Sequence, residues 1–353
     1  MGNRNTSNAS IPFRMLEDLP TPLSRSQCML HKHELLICGG YLQSKCYSYH
    51  TLKNEYKFIC EYPNDVTLDG HCVVKLAGKN KNSNEITLLS FGGFPNHTLI
   101  MKYVSVWSSG NKINKSNNCN QWIPFTDNHN NPIIIERDEN HYYGGVRAVI
   151  GGSNDHLLFI TYKDNNISVF NLNTFQFQMK EKKEKNHEII LFCFNSGLSI
   201  EYDEDNNTFQ FHQLSVCEDI APFNGYAYVC INSTILFFGG YCFKDGVFSK
   251  SVYKYSIQEN KWMTFPNMLP SLLESCIAIL NEENFDIHII GGKNDKDITL
   301  STHMKTKVRL WDPSQLSKNE MKRIIQYWIR TLKIKLGWIA DFDQIIFKYS
   351  KMK

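Results

Sequence analysis

An apolar run ending on two glycines occurs four times in this chain, and no other feature limits the possible folds as strongly. It reads LLICGG at Leu35–Gly40, LLSFGG at Leu88–Gly93, ILFFGG at Ile235–Gly240 and IHIIGG at Ile287–Gly292. Self-similarity at a fixed period marks a chain built from repeated units, each too small to bury its own apolar face. Gly39 and Gly92 are 53 residues apart and Gly239 and Gly291 are 52 apart, whereas Gly92 and Gly239 are separated by 147, or three intervals of 49. Two units in the middle have therefore lost their glycines.

Downstream aromatics locate those two. SYHTLKNEY at Ser48–Tyr56 aligns with KYSIQENKW at Lys254–Trp262, and SVFNLNTFQF at Ser168–Phe177 and SIEYDEDNNTF at Ser199–Phe209 fit the same frame. In each, an alternating strand crosses a polar turn bearing Asn or Asp and meets a closing aromatic. The count is six units. The apolar runs are about four to six residues long, as half-buried or fully buried strands are. Two glycines at the end of such a run allow positive φ and a close backbone approach, and the second of each pair is expected to be the stricter, so that Gly240 tolerates a side chain less than Gly152. Gly144-Gly145 and Gly151-Gly152 do not end apolar runs and read as turns around a strand Val146–Ile150.

The diglycine, Tyr253 nine residues before Trp262 with Tyr47 and Tyr56 in the same frame, and the period of about 50 together resemble the kelch repeat. The resemblance covers Phe13 to Asp312 and implies an all-β, six-bladed kelch-type β-propeller with four strands per blade. It makes Gly39, Gly40, Gly92, Gly93, Gly239, Gly240, Gly291, Gly292, Tyr253 and Trp262 structural. In the sixth unit a strand KVRLW (Lys307–Trp311) runs into Asp312-Pro313 with no closing strand after it. FRMLEDLP at Phe13–Pro20 matches YKFICEYP at Tyr56–Pro63, so an N-terminal strand is expected to complete the last blade and remove its open edge. The expected organisation is an unstructured stretch 1–12, a propeller 13–312 and a basic amphipathic helical tail 313–353.

A net charge of +3 on 353 residues points neither to nucleic acid nor to membrane attraction by the bulk field. No 18-residue apolar segment is present, and the polar start Met1–Ser10 is not a signal peptide. The eleven cysteines show no CxxC or finger spacing. Cys28, Cys72 and Cys276 recur at one place in the repeat as small buried hydrophobes, and reduced thiols imply a cytoplasmic protein. Histidines such as His31, His33, His71, His97 and His187 are scattered, and GxSxG, P-loop, HExxH and GxGxxG motifs are absent. Neither a metal, a cofactor nor an enzymatic activity is expected.

The loops after each diglycine share a face with the inter-blade connections and carry Tyr41, Phe94, His97, Tyr241, Phe243, Lys244, Phe248, Lys293 and Lys296. Exposed aromatics beside lysines suit a protein or peptide partner, although Tyr41, Phe94 and Tyr241 can equally cap the core behind the glycines. The tail opens on a capping box, Ser317 to Glu320, and places Met321, Ile325, Trp328, Leu332 and Leu336 on one helical face. Residues Lys318 to Lys353 carry a net +6, which leaves the remainder at −3. Such a helix serves as a docking element, lies on a membrane, or packs against the propeller. Met1-Gly2-Asn3-Arg4-Asn5-Thr6 fits the pattern for myristoylation at Gly2, which would give reversible membrane contact.

Overall fold

Apolar runs of this length, punctuated by turn residues, have only neighbouring runs to pair with, and in the computed structural model they pair locally into successive antiparallel sheets. The structure describes residues 12–77, 85–108, 118–136, 142–152, 154–162, 166–177, 186–193, 196–203, 208–313 and 325–326. After β1 (Arg14–Met15), the first blade comprises β2 (Gln27–His31), β3 (Glu34–Gly40), β4 (Gln43–His50) and β5 (Glu55–Glu61). The second is β6 (His71–Leu76), β7 (Glu85–Gly92), β8 (His97–Val104) and β9 (Ile123–Pro124). The third is β10 (Arg147–Gly151), β11 (Leu157–Tyr162), β12 (Asn166–Asn171) and β13 (Gln176–Phe177). Among the described residues the fourth has three strands, β14 (Asn186–Cys193), β15 (Ser196–Asp203) and β16 (Thr208–Leu214). The fifth carries a small hairpin, β19 (Tyr241–Cys242) and β20 (Val247–Phe248), between β17 (Ala227–Ile231), β18 (Thr234–Phe238) and β21 (Val252–Ser256), β22 (Lys261–Thr264). In the sixth, β23 (Ile277–Asn281), β24 (Asp286–Ile290) and β25 (His303–Lys307) are joined by β1, through Arg14↔Lys305 and Met15↔Met304.

The first strands of successive blades meet around the axis: β23 against β17 and β2, and β6 against β2 and β10. The molecule is an all-β, six-bladed propeller. Its core is divided among the seams between blades, where apolar faces of adjacent sheets interlock. The turn residues noticed in the repeat have a defined part in this. Asn54 and Asn260 sit at φ 56° and 49°, a left-handed conformation that asparagine tolerates, and their Oδ1 atoms accept hydrogen bonds from Tyr49 at 3.1 Å and Tyr255 at 2.9 Å. The closing aromatics then stack across the same turn, Tyr49 with Tyr56 at 4.8 Å and Tyr255 with Trp262 at 5.1 Å.

The diglycines clasp each blade to the next. The second glycine donates its N–H to a carbonyl leading into the following blade: Gly93 to Tyr143 at 3.0 Å, Gly240 to Leu273 at 2.9 Å, Gly292 to Leu23 at 2.8 Å. The first glycine is the more enclosed. At Gly239 (φ 67°) a Cβ would fall 2.4 Å from the Leu273 carbonyl oxygen, and at Gly291 (φ 65°) it would fall 2.2 Å from that of Leu23. The expected contrast between Gly240 and Gly152 does not separate them by space, since a Cβ would meet Asn224 O at 3.0 Å and Leu157 Cγ at 2.8 Å respectively. A better comparison is Gly239→Ala with Gly145→Ala, because Gly145 is at φ 79° with open space where its Cβ would be. Each carries the strain of left-handed backbone, about 1 kcal/mol or more. Gly239→Ala is expected to cost at least ~1 kcal/mol beyond that, because backbone must move; equal urea midpoints for the two variants would contradict the clasp.

The segment KVRLW is not one strand, as expected from its pattern. β25 ends at Lys307, and Val308–Leu310 turns as a 3₁₀ helix. The turn carries Trp311 back into the seam between the fifth and sixth blades, where its ring lies 5.4 Å from Phe13 and 5.0 Å from Phe265. Asp312 there accepts an ion pair from Lys254 at 3.2 Å. Residues 1–11, with Gly2, and the tail helix lie outside the described residues apart from Ile325–Gln326, whose backbone is helical.

Candidate interaction face

The loops that follow the diglycines are held down by a repeated backbone bond. The residue after the pair donates to the turn that leads into its own blade: Tyr41 to Ser24 at 2.7 Å, Phe94 to Asp69 at 3.1 Å, Tyr241 to Asn224 at 2.8 Å and Lys293 to Glu274 at 2.8 Å. Those lead-in turns each place one residue in left-handed backbone just before the innermost strand: Arg25, Gly70, Gly145, Gly225 and Ser275. They bond to one another around the axis, Ser275 N–H to Gly225 O at 2.7 Å, Arg25 N–H to Ser275 O at 2.8 Å and Gly145 N–H to Gly70 O at 2.9 Å. The Arg25 guanidinium reaches Asp69 at 2.9 Å and links the first and second blades.

This ring frames an axial opening lined by Arg25, Asp69, Arg147 and Glu274 with Tyr142 and Phe243. Burial pushes the Glu274 carboxyl up, opposed by Lys293 and Arg25 nearby. The Tyr41 ring is flanked by two cations, Arg25 Cζ at 5.3 Å and Lys293 Nζ at 5.5 Å from its centroid, and Lys293 is ion-paired with Asp297 at 2.6 Å. Phe94 and Phe243 are 62% and 69% exposed. Phe94 stands 5.9 Å from Tyr142, and Phe243 packs on Tyr241, which also contacts Phe248. Lys244 at the tip of the β19–β20 hairpin and Lys296 in the sixth-blade loop are exposed. The opening can therefore offer aromatic surface edged by paired charges of both signs.

Of the residues singled out in the sequence, Tyr41, Phe94, Tyr241, Phe243, Lys244, Phe248, Lys293 and Lys296 lie on loops or the hairpin of this face. His97 does not. It begins β8, and its Nε2 bonds Ser90 Oγ at 2.8 Å inside the second blade, where burial lowers its pKa to about 4. Sequence reading missed Arg25, Arg147, Glu274 and Tyr142. The signal for Tyr142 was available, since it precedes Gly144-Gly145, which was read only as a turn. Among the described residues no group of three or more His, Cys, Asp or Glu is arranged to hold a metal ion.

A family model described as the kelch motif matches residues 222–269, the whole of the fifth blade with Gly239-Gly240, Tyr253 and Trp262. The fifth blade carries a kelch motif in a six-bladed β-propeller. No curated protein matched this chain in sequence. Among solved structures it is similar to one described as the structure of YjhT, at 11% identity and a TM-score of 0.54, over 82% of this chain and 95% of that one. At that identity the likeness is one of fold. In the kelch frame Tyr253 is a buried anchor, its hydroxyl bonded to the Asp219 carbonyl at 3.2 Å, and Trp262 bonds the Ser215 carbonyl through Nε1 at 2.6 Å.

Proposed function

We propose that this kelch propeller is a non-catalytic scaffold that binds a protein or peptide partner through the face around its axial opening. The observation that supports it best is the exposure of Phe243 at an opening that also holds Arg25, Arg147, Asp69 and Glu274, with exposed Phe94 beside its lining residue Tyr142. Large exposed aromatics beside arginine are the side chains that dominate protein interfaces, and they lose little entropy when a partner covers them. The β1–β25 pairing belongs to the same reading: by closing the ring, it fixes the loops in one arrangement. A cytoplasmic setting fits the nine cysteines Cys28, Cys38, Cys46, Cys60, Cys72, Cys217, Cys230, Cys242 and Cys276, which are in no disulfide.

Copurification from native cytosol should recover a partner that binds the intact chain. The double variant Phe94→Ala, Phe243→Ala is expected to weaken that binding at least tenfold without lowering the melting temperature, each hot-spot ring contributing about 2 kcal/mol. Undiminished binding by this variant would move the interface off this face. The alternative is a membrane-associated adaptor, which rests on the Gly2 pattern and the +6 tail; intact mass decides it, since a myristoyl group adds its own increment.

A further inference from the structure

Three cysteines of the first blade stand in a row. Cys38 on β3 is the register partner of Cys46 on β4, and Cys46 is in turn the partner of Cys60 on β5. Residues directly opposite in a ladder share a face of the sheet, and all three side chains enter the core between the first and second blades with Met101 and Trp122. Opposite Cα atoms are about 4.5 or 5.5 Å apart, and both values lie inside the roughly 4.4–6.8 Å that a disulfide spans. The recurring cysteines are placed differently. Cys28 and Cys72 face Ile37 and Phe91 across their ladders, and Cys276 precedes β23.

The middle sulfur is the activated one. The Trp122 indole N–H donates to Cys46 Sγ at 3.4 Å, whereas the Ser44 carbonyl, an acceptor for the Cys46 proton, is as far as 3.9 Å. Burial by itself would raise Cys46, but hydrogen bonds from the Cys38 and Cys60 thiols, from Trp122 and from the Gly39 N–H outweigh it and hold the thiol well below its usual range. Cys38 and Cys60 are pushed up, first by their bond to Cys46 and then by burial. One thiolate thus lies between two protonated thiols. Burial instead raises the recurring cysteines, Cys72 to about 11 and Cys276 to about 12. Cys38 and Cys46 are fully enclosed, while Cys60 on the outermost strand is 8% exposed. The row therefore runs from the rim of the blade inward.

We propose that Cys38, Cys46 and Cys60 form a reversible thiol–disulfide site, oxidised by a hydroperoxide at Cys46 and closed by either neighbour. In the first step the Cys46 sulfur attacks one peroxide oxygen. An S–O bond forms, the O–O bond breaks, and the departing hydroxide takes up a proton as water, leaving Cys46 as a sulfenic acid. Hydrogen peroxide is scarcely larger than water, and the exposed edge of Cys60 is its route. In the second step the Cys60 sulfur attacks that of Cys46: the S–S bond forms, the S–O bond breaks, and hydroxide leaves with the Cys60 thiol proton as a second water. One peroxide thus takes two electrons from the pair. Cys38 stands on the far side of Cys46, in line with the new bond, so it can displace Cys60 by thiol–disulfide exchange, its proton passing to the released sulfur. A Cys38–Cys46 bond closes the loop of residues 39–45, which carries Gly39-Gly40 and the Tyr41 of the interaction face; a Cys46–Cys60 bond leaves that loop open. Transient, redox-sensing disulfides are the kind that a reducing compartment tolerates.

The native full chain is exposed to hydrogen peroxide, alkylated with N-ethylmaleimide in urea, and digested without reduction by trypsin and a glutamate-specific protease, which separates Cys60 from Cys72 at Glu61. Mass spectrometry is expected to find Cys46 linked to Cys60 or to Cys38, with Cys28, Cys72 and Cys276 alkylated as thiols, and dithiothreitol should abolish the link. Cys38→Ala should leave only the Cys46–Cys60 link and Cys60→Ala only the Cys38–Cys46 link. In Cys46→Ala any disulfide of this blade should form at least tenfold more slowly. Recovery of Cys46 as a thiol after the exposed Cys230 has been fully oxidised would overturn the proposal, and that result needs only the wild-type chain, whether or not the variants fold. A Cys38–Cys60 link forming in Cys46→Ala as fast as the wild-type links would overturn it equally, because the row would then not depend on its middle sulfur.

Discussion

Deleting residues Met1–Asp18 is expected to destabilise the propeller by several kcal/mol and to make it self-associate. The deletion removes β1 and with it the outer strand of the sixth blade, the Leu16 N–H bond to His303 O at 2.8 Å, and Phe13, which is 6% exposed and set between Phe238 and Trp311. Loss of a buried phenylalanine alone costs about 3–5 kcal/mol, and β25 would be left with an unpaired edge that invites pairing between molecules. Phe13→Ala in the intact chain isolates the packing part, leaving the edge covered. A truncated chain that melts with the intact one and sediments as a monomer would show that the ring does not depend on this strand.

Acidification should act on a comparable scale. His71, His288 and His303 are 0%, 1% and 0% exposed. Burial lowers His71 to about 3, with His97 and Arg147 adding repulsion, and lowers His288 to about 4, with Lys305 and Lys307 opposing the charge and Asp286 favouring it. Burial likewise pushes His303 well down, helped by His288 and Lys305. The bonding is compatible with neutral rings: the Tyr56 hydroxyl is hydrogen-bonded to His303 Nδ1 at 2.5 Å, and His303 Nε2 shares one proton with His288 Nδ1 at 2.9 Å, a contact that two protonated rings could not keep. Because the folded pKa values lie below the unfolded value of about 6.5, the native state binds fewer protons. The stability is fully present above pH 6.5 and is lost as pH falls toward the folded values, by roughly 1.4 kcal/mol per unit for each group. At pH 5 His71 and His288 alone amount to about 4 kcal/mol, close to the whole stability of a marginal domain. Urea midpoints should therefore be level from pH 8 to 7 and fall steeply below 6, with a shallower fall for His71→Asn. Equal midpoints at pH 7.5 and 5 would disprove it.

Much of the ring was legible because the diglycine is tied to a backbone requirement: Gly239 and Gly291 abut carbonyls of the next blade, and no other residue fits both the φ and the space. Where that clasp is missing, after β11 and β14, the sequence kept only the aromatic pair across the outer turn, enough to count six blades but not to weigh them. The even division of the central interval was therefore misleading. Tyr103 to Phe170 spans 67 residues and Phe170 to Tyr202 only 32, since long connections flank β9 and only eight residues separate β13 from β14. On the face, Phe94 and Phe243 were legible as aromatics following a diglycine. His97 was misplaced because the loop ends one residue earlier than its polar composition suggests, and a strand's first side chain can point inward. The charged lining from Arg25, Arg147 and Glu274 was hidden because it belongs to turns between blades, which carry no repeated letter, only a repeated backbone conformation.

The pairing of β1 with β25 also sets an order in time. Arg14 emerges from the ribosome some 290 residues before its partner Lys305, a delay of roughly 15–60 s at ribosomal rates. Blades one to three can fold as local antiparallel units while β1 waits without a sheet to join. The sixth blade is then the last to become complete, and the step that completes it has the longest loop to close. For that interval the nascent chain carries Phe13 and Leu19 exposed, the segment a chaperone would need to shield.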